Sequence, residues 1–241
     1  QWVGSNNING VIGSNYGYSS NTSFAGGSAG ELGGVFARSS ANTNLFDTSV
    51  GTLLPSQPLY AAGRVTFQAA NNPNWGLNIG FAKINNGIVE EWLWMSLDEW
   101  DRIGLRAMNA RGEGLATNAE SLSGNNVAAN MLPDSTWTLE YEPNSGVHGA
   151  GSIVATVTTL AGVSRTITLD LTQTFRDGLS GFNAFGIHQH VADNPDPNRT
   201  LTVYFDDLTY TVSPTLTAQD AVTSGSPASF TTSGPWQGNL S

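Results

Sequence analysis

The stretch "GSIVATVTTL", residues 151–160, decides the fold. Its residues Ile153, Ala155 and Val157 share one side of an extended chain, the period-two pattern of a strand with one buried face. "TLTVYFDDLTYTV" (200–212) repeats the pattern with Leu201, Val203 and Phe205. Working outward, residues 63–70, 75–84, 137–143, 165–171 and 184–190 are rich in β-branched and aromatic side chains, and Gly, Asn, Pro and Asp clusters divide them. No ten-residue helical pattern recurs between these runs. Many short strands with turn signals between them predict an all-β fold, a two-sheet antiparallel sandwich. "LDEWDRIGLRAMNARGE" (97–113) admits two readings. It is either a helix opening at Asp98 or a strand in which Ile103, Leu105 and Ala107 alternate with Gly104, Arg106 and Met108. Its position among other strands favours the strand.

Composition narrows the function classes. The chain has 241 residues, of which 39% are apolar, enough for one large all-β domain with its own core. Charged residues reach only 12%, and Lys83 is the single lysine, so Asn, Ser, Thr, Gln and Gly must form most of the surface. A net charge of −10 argues against a nucleic-acid partner, because phosphate backbones need clustered Lys and Arg. No run approaches the ~20 apolar residues of a membrane-spanning helix. Cysteine is absent, which excludes thiol catalysis but not export, since a domain of this size stands on its core. The weakly charged polar surface and the opening "QWVGSNN" are read as those of an exported, extracellular or cell-surface protein. Residues 1–212 read as the sandwich and 213–241 as a Ser/Thr/Gly/Pro-rich extension. In that extension Phe230 and Trp236 are the candidate anchors of a strand added to a sheet edge, in the same chain or in a neighbouring copy, the latter giving a filament.

"GSAGELGGVFARSS" (27–40), "DRIGLRA" (101–107) and "RTLTVYFDDLTYTV" (199–212) resemble secreted bacterial proteins with a concanavalin A-like or laminin G-like jelly-roll domain. The resemblance spans roughly residues 20 to 212 and rests on glycine positions and strand endings. It implies a jelly roll, export and association with polysaccharides or cell surfaces, and it carries no agreed active site. Its members include glycan-binding modules, hydrolases, lyases and structural domains, and fold does not choose among them.

Candidate chemistry is sparse. In "GIHQH" (186–190) His188 and His190 lie on one strand face, close enough to share a metal if His148 or Asp193 supplied a third ligand. The simpler reading is a solvent-facing pair at a strand's wet edge. "VEEWLWMSLDEWD" (89–101) concentrates acids and indoles. Trp92, Trp94 and Trp100 are candidates for stacking on sugar rings, against the alternative that Trp92 and Trp94 pack together into a core. Glu90, Asp98, Glu99, Asp101 and above all Glu91 are the acids that could supply a glycosidase's two carboxylates, but the E-x-D-x-E alternation of sandwich glycosidases is missing. With His188, His190 and Tyr204, Glu91 completes the list of weak catalytic candidates, which nothing in their spacing unites. Ser28 in "GGSAGELGG" matches G-x-S-x-G, but the stretch leads into a strand, leaving no strand-to-helix elbow for a nucleophile and no helix N-terminus for a pyrophosphate. Asp206 and Asp207 point to opposite faces of a regular strand. With Asp193 in the following-loop segment they are the candidates for calcium, which laminin G-like sandwiches often hold; otherwise they cap backbone amides.

Two functions remain open. One is an extracellular structural or adhesive module, glycan-binding or self-assembling. The other is a secreted polysaccharide-active hydrolase or lyase. The lack of a convergent catalytic set favours the first.

Overall fold

The computed structural model describes residues 2–3, 15–26, 29–38, 43–71, 76–98, 102–122, 134–189 and 196–213. Glu99, Trp100, Asp101, His190, Asp193, Phe230 and Trp236 lie outside them, as does all but the first residue of the 213–241 extension.

Two sheets account for nearly every element, and every pairing between them is antiparallel. Sheet A runs, in spatial order, β1 (Trp2–Val3), β4 (Thr43–Asp47), β14 (Ala184–Gln189), β6 (Gly76–Asn85) and β7 (Ile88–Asp98). It ends in β8 (Arg102–Met108), which pairs with both β9 (Gly114–Ala116) and β10 (Glu120–Ser121). Sheet B begins with β13 (Ser164–Asp170), β12 (Ser152–Thr159), β11 (Ser135–Glu142) and β5 (Leu59–Asn71). It closes with β15 (Asp196–Tyr210), β3 (Glu31–Arg38) and β2 (Asn15–Ser19). The two-sheet antiparallel sandwich predicted from alternation is therefore the observed fold, and the 97–113 segment carries strand β8, not a helix. Among the described residues the one helix is α1 (Gln173–Arg176), a single turn whose Thr172 side chain accepts a hydrogen bond from the Phe175 amide. No helix of the described residues is long and apolar enough to cross a membrane.

The core is the set of alternate residues the sequence marks. Ile153, Ala155, Val157, Leu201, Val203 and Phe205 of sheet B are buried against Ile79, Leu93, Met95, Leu97, Ile103 and Leu105 of sheet A. Burying each large aliphatic side chain contributes about 1.5–3 kcal/mol. A polar tie crosses between the layers: the Tyr210 hydroxyl of β15 donates to Asp47 Oδ2 of β4 at 2.6 Å.

The outer faces differ. On sheet B, the hydroxyls of Thr156 and Thr166 meet at 2.8 Å across β12 and β13, and those of Thr158 and Ser164 at 2.9 Å. Such hydroxyl pairs suit a solvated face. Sheet A carries a cluster of stacked rings at the centre of its outer face.

Candidate functional site

That aromatic cluster follows from the alternation of β7. Because Leu93, Met95 and Leu97 point inward, Trp92 and Trp94 point outward together. The register sets Trp94 beside Gly80 of β6, which in turn pairs with Gly186 of β14, and Trp92 beside Ala82, which pairs with Ala184. These small residues make a shallow floor on which the rings and Phe46 of β4 form a second apolar cluster, separate from the core. A side chain at Gly186 would run into the Leu45 carbonyl and the Phe46 ring, so the floor must stay low. Trp92 and Trp94 stack with centroids 4.6 Å apart and planes 10° from parallel. The His188 imidazole stacks on the opposite side of Trp94, 4.3 Å away. A three-ring column, His188–Trp94–Trp92, therefore stands on the outer face of sheet A.

Two expectations are corrected here. His188 is not at a wet edge: the indole packed over it leaves it 2% exposed. Nor do the two tryptophans enter the core. They do share a face, but Leu93 and Met95 take the interior, since period-two alternation alone does not say which of two apolar faces is inward. Trp92 stays half-buried, whereas Trp94 is 2% exposed. Two polar atoms at this place lack hydrogen-bond partners among the described residues: the donor Trp94 Nε1 and the acceptor Asn78 Oδ1. Asn78 is the direct register partner of His188.

Among the described residues the catalytic candidates do not meet. Glu91 has the inward parity of Leu93 and is 0% exposed. Its Oε2 accepts from the Ser180 amide at 2.8 Å, Oε1 accepts from the Ser180 hydroxyl, and Lys83 Nζ lies 3.2 Å from Oε1. That carboxylate is a structural tie between β7, β6 and the segment after α1, with no route to a substrate. Tyr204 is on the outer face of the other sheet, its ring packed on Phe24 at 4.7 Å. His188 and Tyr204 are thus separated by the whole sandwich. Asp98 pairs with Arg102 at 2.6 Å, and His148 is exposed on the turn between β11 and β12.

The calcium candidates separate as well. Asp206 lies on the outer face of sheet B, while Asp207 departs from strict alternation. A register shift between Asp206 and Thr209 marks a bulge, Asp207 adopts φ 51°, and Leu208 takes the buried position instead. Asp207 therefore faces solvent rather than the core. Beside Asp206 the structure places a residue the sequence reading passed over. Phe205 pairs with Leu32, so Glu31 and Asp206 stand one step beyond, side by side on the outer face. Both carboxylates reach the loop joining β2 to β3. The Ala25 amide donates to Glu31 Oε1, and a Cβ on Gly26 would run into the Asp206 carboxylate. Burial, then Asp207 and Glu31, push the Asp206 carboxyl up from its ordinary range. Glu31 is 1% exposed, and its Oε2 and the nearby loop's Thr22 Oγ1 have no hydrogen-bond partner among the described residues. Orphaned oxygens beside two carboxylates fit the all-oxygen donor set that calcium takes. No three His, Asp or Glu side chains cluster as a metal site among the described residues. The signal in the sequence was a lone acid, Glu31, between glycine-rich stretches at the start of an otherwise apolar strand.

No family model matches the chain, and no curated protein matches it either. Solved structures do. The marine PL-14 alginate lyase from Aplysia kurodai superposes with a TM-score of 0.53 at 10% identity, covering 82% of this chain and 87% of that one. An alginate lyase from Klebsiella pneumoniae gives 0.51 at 11% identity, with 82% and 84% covered. The metal-free form of lectin I-B4 from Griffonia simplicifolia gives 0.51 at 12% identity, with 86% and 95% covered. At such identities the likeness is one of fold. This chain is an antiparallel jelly-roll sandwich of the architecture those lyases and that lectin share.

Proposed function

We propose that the protein is an extracellular, non-catalytic glycan-binding module whose ligand platform is the outer face of sheet A. The observation that carries this reading is the ring column on the outer face of sheet A, which ends in the half-buried Trp92. The half-buried Trp92 indole at the end of the column offers a flat apolar surface to the CH face of a pyranose. Dispersal of His188, Glu91 and Tyr204 supports binding rather than bond cleavage. The likeness in fold to a lectin and to lyases is consistent with a polysaccharide of a matrix or cell surface as partner. On this reading the 213–241 extension, through Phe230 and Trp236, is the segment that would link copies into an adhesive array.

The test is calorimetric titration with a panel of laminari-, cello-, xylo- and alginate hexasaccharides. Wild-type protein is expected to bind at least one of them. Trp92→Ala is expected to weaken that binding roughly tenfold or more, about 1.4 kcal/mol, with an unchanged far-UV spectrum. Equal affinity in wild type and variant, or no binding to any glycan, would remove the platform.

A further inference from the structure

We infer that the outer face of sheet B carries a second ligand groove, which takes a neutral sugar residue. It lies on the far side of the sandwich from the proposed platform and does not depend on it. The groove has a volume of about 360 Å³ and is lined by β2, β3, the Ser20–Asn21 start of the loop between them and Tyr204 of β15. That volume falls within the range of about 300–1,000 Å³ of small-ligand sites. Its floor is bare backbone. Gly17 of β2 pairs with Gly33 of β3, which pairs in turn with Tyr204. Gly33 has φ 151°, and a Cβ there would run into the Val203 carbonyl of the next strand, so this part of the face stays uncovered by any side chain of its own. The wall on the β15 side is aromatic. The Tyr204 ring stands beside the glycines, and Phe24 of the loop packs on it with centroids 4.7 Å apart and planes tilted by 36°.

The lining selects the ligand. Phe24 keeps 46% of its surface exposed in a loop otherwise made of Ser, Asn, Thr, Ala and Gly. Packing on Tyr204 therefore leaves a flat apolar surface open to water, of the kind on which the CH face of a pyranose stacks. Around it stand hydroxyls and an amide, from Ser19, Ser20, Asn21 and Tyr204. The Ser20 hydroxyl donates to Asn21 Oδ1 at 3.3 Å, so the Asn21 NH2 remains to donate to a sugar oxygen. Charge excludes an anionic sugar. No Lys or Arg lines the groove, and Glu31 and Asp206 stand two positions along the strands from Gly33 and Tyr204 on the same face. Arg64, the cation nearest in register, lies on the far side of Asp206. A carboxylate or sulfate in the groove would meet two acids and no counter-charge, whereas a neutral sugar meets donors, acceptors and a ring.

The isotope-labelled full chain is titrated with cello-, xylo- and laminari-hexasaccharides and followed by NMR, with an alginate hexasaccharide as the anionic comparison. At least one neutral sugar is expected to move the backbone amide signals of Gly17, Gly33 and Asn21. It does so equally in Trp92→Ala, so failure of the platform and failure of the groove are told apart. Phe24→Ala is expected to raise the dissociation constant read from these signals roughly tenfold. Asn21→Ala is expected to raise it roughly threefold. The second variant keeps the packing of Phe24 on Tyr204, so its loss of affinity separates a sugar contact from a loop that has merely loosened. The alginate oligomer binds the groove at least tenfold more weakly than the neutral one. Signals of Gly17 and Gly33 that stay in place at saturating levels of every neutral sugar overturn the assignment. So does an affinity unchanged in both Phe24→Ala and Asn21→Ala, or an equal response to alginate. Movement of the same signals with protein concentration alone also overturns it, and gives the groove to contact between copies of the chain.

Discussion

Replacing Glu91 by Ala is expected to lower Tm by roughly 6–12 °C, the effect of losing about 3 kcal/mol in a chain of this size. The carboxylate is fully buried and anchors three groups at once, the Ser180 amide, the Ser180 hydroxyl and Lys83. Truncation leaves the amide without its acceptor and the ammonium without its counter-charge. Each is a penalty of desolvation as well as a lost bond. Lys83 is about one-third exposed and can turn toward water, which keeps the loss near the lower end for a broken buried pair. Glu91→Gln retains one acceptor for Ser180 and should lose about half as much. The measurement is a thermal melt of both variants beside wild type. A catalytic acid would behave oppositely, keeping Tm and losing turnover, so an unchanged Tm for Glu91→Ala would return Glu91 to the list of reactive groups.

Trp94→Ala should be more damaging still, by about 3–5 kcal/mol, the range for emptying a buried large aromatic site. The corresponding fall in Tm is roughly 6–20 °C. Although Trp94 lies on an outer face, it is held between Trp92 and His188 and belongs to a packed cluster with Phe46, Ala82 and Ala184. Its removal unseats both neighbouring rings. Trp92→Ala, at the half-buried end of the column, should shift Tm far less while reducing glycan affinity. The pair of variants therefore divides the column into a supporting ring and a contacting ring. Equal melting temperatures for the two would contradict the burial difference on which that division rests.

The architecture was legible because strand alternation is a local property. Ile153, Ala155 and Val157, or Leu201, Val203 and Phe205, announce a buried face from their own spacing, and the structure buries them all. "RIGLRA" read correctly for the same reason. The site was less legible because it depends on which face is inward and on neighbours distant in sequence. In "EEWLWMSL" both faces are apolar, so nothing local tells that Leu93 and Met95 face the core while Trp92 and Trp94 cover small residues contributed by β6 and β14. Asp207 was misplaced because a bulge adds one residue without any composition signal. Its left-handed backbone is one that Asp tolerates better than most side chains. Glu31 went unremarked because its neighbour Asp206 lies 175 positions away and is brought beside it only by the pairing of β3 with β15.

The contrast between the two outer faces gives the module a front and a back. If the proposed platform holds on the polymer, a module seated through the indole of Trp92 would present the opposite side to the medium, and there the Thr156–Thr166 and Thr158–Ser164 pairs form a hydroxyl-covered patch. Such a patch hydrates well and offers approaching proteins neither rings to stick to nor lysines to pair with. A dense layer of these modules would thus mask the polymer beneath it, exchanging the chemistry of sugar chains for a thin, threonine-coated skin.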